Sequence, residues 1–149
     1  MPAKYIPDGF HTVTPYLTCT NVAKVIDFLK RTFDAKEIER MSGPDGRIMH
    51  AEVPVGDSIL MMGEPGGEWK PMPCALYLYV TDCDAAFKRA LAAGGTSVVE
   101  PADQFYGDRH GGVKDVAGNL WWIATHKEDV SPEEMKRRHE EFAKKHAKM

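Results

Sequence analysis

His50 and Glu52 stand two residues apart in the run RIMHAEVPV, so a strand there carries both side chains on one face. An imidazole beside a carboxylate is a two-ligand edge for a metal ion or an acid–base pair. The plainer reading is a solvated or structural pair. The run QFYGDRHGG, residues 104–112, gathers a second set. In it Arg109 can take an anionic group of a ligand through its fork of donors, with Asp108 as its partner. A surface salt bridge between the two is the alternative. His11, His110 and His126 have no HxH or HExxH spacing and read as surface histidines. WWIATH, residues 121–126, sets two indoles side by side in a strand, where Trp121 and Trp122 must face opposite layers. None of these sets names a catalytic residue.

The elements that position them come from an internal repeat. YLTCTNVAKVIDFLKRTFDAKEIE, starting at Tyr16, lies over YLYVTDCDAAFKRALAAGGTSVVE, starting at Tyr77, without a gap. Each copy opens with a short strand rich in Tyr, Thr and Val, followed by a capping residue, Asn21 or Asp82. Apolar positions at helical spacing come next: Val22, Val25, Ile26, Leu29 and Phe33, then Cys83, Ala86, Phe87 and Ala90. Gly94-Gly95 stops the second helix. A strand and a hairpin complete each copy, with turns at Gly56-Asp57 and at Asp115–Gly118. If Gly56-Asp57 is a two-residue turn, Leu60 shares its face with Val53, and His50 and Glu52 point the other way.

The expected organisation is an N-terminal arm (1–11), a βαβββ module (12–64), a Gly/Pro-rich connector (65–73), a second βαβββ module (74–128) and a C-terminal helix (129–149). The fold class is α+β, two βαβββ modules forming a curved half-barrel sheet, plus that helix. In the helix, Ser131, Pro132 and Glu134 make a capping box. It docks on its own domain or clasps a second subunit.

At 149 residues with a formal net charge of -3, 43% hydrophobic and 28% charged, the chain reads as one ordinary globular unit or two small repeats. The charge argues against a nucleic-acid partner, and no apolar run is long enough for a membrane helix. The opening MPAKYIPDGFHTV lacks the apolar core of a signal peptide. Cys19, Cys74 and Cys83 are odd in number and form no CxxC pair, so they read as small buried hydrophobes of a cytoplasmic protein. There is no GxGxxG, P-loop or GxSxG string.

The repeated plan, the passage VIDFLKRTFDAKEIER and the string DVAGNLWWIATH resemble the vicinal oxygen chelate superfamily, which groups glyoxalases, bleomycin-resistance proteins and dioxygenases. GRIMHAEVPVGDSILMMGE with FYGDRHGGVKDVAGNLWWIATH looks more narrowly like its PhnB-like branch. The resemblance implies paired modules, usually in a homodimer, with a small-molecule pocket in each half-barrel. It also implies that metal-using members hold an ion on His, Glu or Gln from four strand positions. Those positions carry over to Thr14, Leu60, Ala75 and Trp122, none a metal ligand of useful strength. No metal site and no cofactor is therefore expected at these corners.

On this resemblance Trp122 faces the cavity and Trp121 packs under a helix. The expected ligand-binding residues are Tyr16, Leu60, Tyr77, Tyr79, Arg109 and Trp122, with Leu120 beside them. Walls of this kind suit a small, flat organic molecule held by stacking and phenol hydrogen bonds. One alternative is a metal-dependent lyase or dioxygenase using other ligands such as His50 and Glu52. Another is a dimeric scaffold whose pocket is filled. Whether the protein is an enzyme stays open at this point.

Overall fold

The computed structural model describes residues 2–147. Met1 and residues 148–149, the ends of the expected arm and C-terminal stretch, lie outside the described residues. The chain runs β1 (Tyr16–Thr18), α1 (Val22–Phe33), β2 (Glu39–Ser42), β3 (Ile48–Val55), β4 (Ser58–Gly63), β5 (Ala75–Tyr79), α2 (Cys83–Ala92), β6 (Thr96–Asp103), β7 (Asp108–Lys114), β8 (Leu120–His126) and α3 (Pro132–His146). Two four-stranded sheets result, ordered β1-β4-β3-β2 and β5-β8-β7-β6, and neither closes into a barrel. In each, the first strand lies parallel to the last and the other pairs are antiparallel. This is the α+β plan of two βαβββ modules plus a C-terminal helix.

Each helix follows its apolar stripe. Val22, Val25, Ile26, Phe28 and Leu29 are buried on α1; Cys83, Ala86, Phe87 and Ala90 are buried on α2. The helix starts differ. Asp82 caps α2 by accepting from the Ala85 amide at 3.1 Å. Asn21 makes no side-chain cap, contrary to expectation. Its backbone is left-handed, φ 58°, a conformation that Asn tolerates better than most residues. Ser131 accepts from the Glu134 amide at 3.2 Å, as its capping box requires.

The helix-bearing faces of both sheets share one core. Trp121 is its largest fully buried side chain; its ring centroid lies 6.2 Å from that of Phe28 and 6.3 Å from that of Phe33, both on α1. Arg89 Nε donates to the Thr32 carbonyl at 2.9 Å, and Arg31 to the Ala92 carbonyl at 2.9 Å, tying the two helices together. The two modules therefore join through their helical layers, and the helix-free face of each sheet stays at the surface. There Tyr16 is 52% and Tyr79 64% exposed.

The β7–β8 turn is fixed by one carboxylate. Asp115 accepts from the amides of Ala117 and Asn119, from Asn119 Nδ2 and from Trp121 Nε1, all within 3.0 Å. Gly118 closes that turn at φ +88°, where a side chain is strained. α3 buries no residue fully. It lies against its own chain, Phe142 on Phe105 at a 4.9 Å centroid distance, while Arg138 donates to the Phe105 carbonyl at 3.1 Å.

Candidate functional site

Strand alternation places Tyr77 and Tyr79 of β5 on the helix-free face of the second sheet. The ladder sets Tyr77 opposite Trp122 of β8, and Trp122 opposite Gly112 of β7. A Cβ on Gly112 would come within 2.9 Å of the Trp122 ring, so only glycine lets the indole lie across β7. Along the same face β7 adds His110 and Asp108, and β8 adds His126 opposite Asp108. The rings form a continuous wall: Tyr79 to Tyr77 at 5.4 Å, Tyr77 to His110 at 5.6 Å, His110 to Trp122 at 5.0 Å.

Beneath that wall sits Asp108, 3% exposed. Its Oδ2 accepts from the hydroxyls of Tyr77 and Tyr79, each at 2.9 Å. Its Oδ1 meets His126 Nδ1 at 2.8 Å, and His126 Nε2 meets Asp129 Oδ1 at 2.8 Å. Burial pushes the Asp108 carboxyl up, but the bonds from His126, Tyr77 and Tyr79 outweigh it and hold the group below the usual carboxylate range. The same bond raises His126, with Asp129 adding to it. Burial, with hydrogen bonds to Tyr106 and Asp108, moves the Tyr77 phenol well above its ordinary value. His110 is lowered by burial, against the pull of the Asp108 charge. The site thus holds a fixed anion, a proton-rich His126 and a proton-poor His110 along one face.

The six expected ligand residues do not all gather here. Tyr77, Tyr79 and Trp122 do. Leu60 does not: it pairs with Val53, is 5% exposed and faces the helices. The reason is register. Tyr16 pairs with Met61 as Tyr77 pairs with Trp122, so Met61 is the repeat mate of Trp122, and Leu60 is the mate of the buried Trp121. Aligning the turn glycines shifted the first module by one residue, which exchanges faces. Leu60 instead lines a cleft of about 830 Å³ between the modules, with His11, Val13, Phe33 and Trp121, and β5 also borders that cleft through Tyr77, Leu78 and Tyr79.

Arg109 also departs from expectation. It does not pair with Asp108; it grips Asp84 through Nε and Nη2 at 2.9 and 3.1 Å and reaches Asp103 at 3.3 Å. Those carboxylates raise its pKa, Asp84 first, and occupy the donors a ligand would need. Tyr16 lies on the helix-free face of the first sheet, its ring 5.9 Å from that of His50. His50 and Glu52 share that face and bond to each other at 3.1 Å. With Glu39, opposite Glu52 on β2, they bring three possible ligand atoms within 4.8 Å of one another.

Reading the histidines by sequence spacing alone missed His110 and His126. The signal was the alternation already used for Tyr77 and Tyr79: Trp122, Ala124 and His126 share one face of β8, and Asp108 and His110 one face of β7. Among the cysteines, Cys19 and Cys83 are buried, and burial pushes the Cys19 thiol up to about 11, which keeps it protonated and unreactive.

Residues 9–123 match the model of the Glyoxalase/Bleomycin resistance protein/Dioxygenase superfamily. An uncharacterised protein of Mycobacterium bovis is 35% identical over 134 residues, covering 83% of this chain and 88% of that protein. Among solved structures, TioX from Micromonospora sp. ML1 is similar at TM-score 0.67 and 27% identity, over 78% of this chain and 98% of that one. A PhnB protein from Bacillus cereus has the same fold at TM-score 0.63 and 16% identity, over 77% of this chain and 99% of the other.

Proposed function

The chain belongs to the glyoxalase/bleomycin resistance protein/dioxygenase superfamily, and from that premise we propose that it binds a small, flat organic molecule against the helix-free face of its second module. The observation that carries this reading is the aromatic wall of Tyr79, Tyr77, His110 and Trp122 above the buried, triply bonded Asp108. An indole and a phenol supply stacking area, and the polar groups beneath them fix orientation. A second copy of the chain completes the chamber by laying the helix-free face of its first module over this wall. Tyr16, 52% exposed, and Met41, 53% exposed, give that face the apolar surface such contact needs.

The four corner positions, with the register corrected, are Thr14, Met61, Ala75 and Trp122. A hydroxyl, a thioether, a methyl group and an indole do not fit a hard divalent ion. The deciding experiment is a thermal-shift screen of flat aromatic compounds against the wild type and Trp122→Ala. A ligand bound only to the native state raises the Tm. The expected result is a rise of several degrees in the wild type and an affinity lower by roughly tenfold in Trp122→Ala. Equal shifts in both proteins would remove the wall from the binding site.

A second reading rests on Glu39, His50 and Glu52, whose three possible ligand atoms lie within 4.8 Å of one another. Two carboxylates and an imidazole suit a divalent metal and leave coordination positions open, as a metal-dependent lyase or dioxygenase requires. Calorimetric titration with Mn²⁺ or Zn²⁺ tests it: binding in the wild type that disappears in His50→Ala supports this reading, and a flat wild-type titration excludes it.

A further inference from the structure

The donors and acceptors around Asp108 can be counted, and the count reaches one residue that meets no other constraint. Asp108 as a carboxylate only accepts. Tyr77 has one phenolic proton and spends it on Asp108 Oδ2 at 2.9 Å. The Tyr77 oxygen also lies 3.0 Å from His110 Nδ1. With its proton committed, that oxygen is left to accept, which favours the hydrogen on Nδ1. The Tyr106 hydroxyl, 3.2 Å from the same Nδ1, takes the weaker branch. In a neutral imidazole the other nitrogen then holds a lone pair. His110 Nε2 has no hydrogen-bond partner among the described residues, and His110 shares its sheet face with Trp122, the two ring centroids 5.0 Å apart.

We propose that His110 is the specificity-determining acceptor of this site, held as the Nδ1–H tautomer by Tyr77 on Asp108 and presenting its Nε2 lone pair to an O–H or N–H donor on a planar aromatic ligand. The inference rests on the reading of this face as the ligand site and adds the class of ligand: an aromatic ring carrying a hydrogen-bond donor, such as a phenol or a heteroaromatic N–H. Tyr77 and Asp108 are positioning residues, which act through the imidazole. Burial lowers the pKa of His110, so at neutral pH the lone pair is free rather than protonated. His126 is the opposite case: both of its nitrogens face carboxylates, Asp108 and Asp129, which favours a hydrogen on each and leaves no lone pair aimed at a ligand while the ring is charged.

Two measurements on the full chain test this. Long-range ¹H–¹⁵N NMR of histidine-labelled protein near pH 7.5 reads the tautomer without any ligand. The expected result is Nδ1–H for His110 in the wild type and in Tyr106→Phe, with a shift toward Nε2–H, the form a free histidine side chain favours in water, in Tyr77→Phe. The second measurement compares binding of 2-naphthol and its methyl ether, 2-methoxynaphthalene. The wild type should prefer the naphthol by roughly three- to tenfold, the worth of one neutral hydrogen bond, and His110→Phe should lose that preference while keeping a ring in the wall. An Nε2–H tautomer in the wild type, or a preference unchanged in His110→Phe, would overturn the role of His110 and leave the ligand site standing. Failure of both naphthalenes to bind any variant would take down the ligand site itself, and this inference with it.

Discussion

Asp108 and His126 form a pair on the candidate face in which each partner shifts the other's charge state. His126 is raised above the ordinary imidazole value of 6.5, by its bond to Asp108 first and to Asp129 second. A group whose folded pKa exceeds its unfolded one stabilises fully below the unfolded value, and that contribution is lost as the pH climbs through the folded value. The His126 bond is thus complete below about pH 6.5 and fades above it. The Tm difference between the wild type and His126→Gln should be largest near pH 6 and shrink toward pH 9, as read by circular dichroism in matched buffers. A constant difference across that range would mean that the imidazolium is not what stabilises the contact. Asp108 behaves in the reverse sense: its depressed pKa makes its contribution vanish only in acid, as the pH falls through the folded value.

At the scale of the element, β8 is a strand with two jobs, and its neighbouring indoles divide them. Trp121 is fully buried against α1 and donates to Asp115, whereas Trp122 is partly exposed on the opposite face. Trp121→Ala should destabilise the protein by about 3–5 kcal/mol, the usual range for a large buried aromatic. Trp122→Ala should cost roughly 1 kcal/mol or less, because its removal opens no sealed cavity. Urea denaturation of the two variants separates them; equal losses would contradict the assignment of faces.

This division was legible from alternation and the family resemblance, because a strand leaves no choice but opposite faces for adjacent residues. The helices were legible too, since a stripe such as Val22, Val25, Ile26 and Leu29 has one way to be buried. Register was not. Turn glycines set where a hairpin bends, but the ladder sets which residues oppose one another, and the two modules reach their last strands through turns of different build. Gly56-Asp57 is a two-residue loop, whereas Asp115–Gly118 holds a wider turn on a carboxylate. That difference sent Leu60 to the wrong face. Arg109 was misread for a related cause: Asp84, its partner, lies on α2, and only tertiary packing brings it within 2.9 Å.

At the scale of the molecule, the two modules meet through their helical layers and leave both helix-free sheet faces uncovered, with Tyr16, Met41, Tyr77 and Tyr79 exposed on them. A chain that hides these faces by pairing should run as a dimer. Light scattering coupled to gel filtration should give a particle of about twice 16.6 kDa. A charge placed on the uncovered face, Tyr16→Glu, should shift the population toward the single chain without a large change in the far-ultraviolet spectrum. A wild-type protein that runs as a single chain at micromolar concentration would leave the chamber half-walled.

The parallel pairing of first and last strands has a consequence for birth on the ribosome. β1 emerges early and has no partner until β4 follows, since its ladder runs to Met61, Met62 and Gly63. The second half repeats the wait, with β5 idle until β8 is made. Neither sheet can therefore zip progressively from its start; each closes only when its final strand arrives. The Tyr- and Leu-rich ALYLY segment spends that interval as an unpaired apolar strand, the kind of edge that invites aggregation.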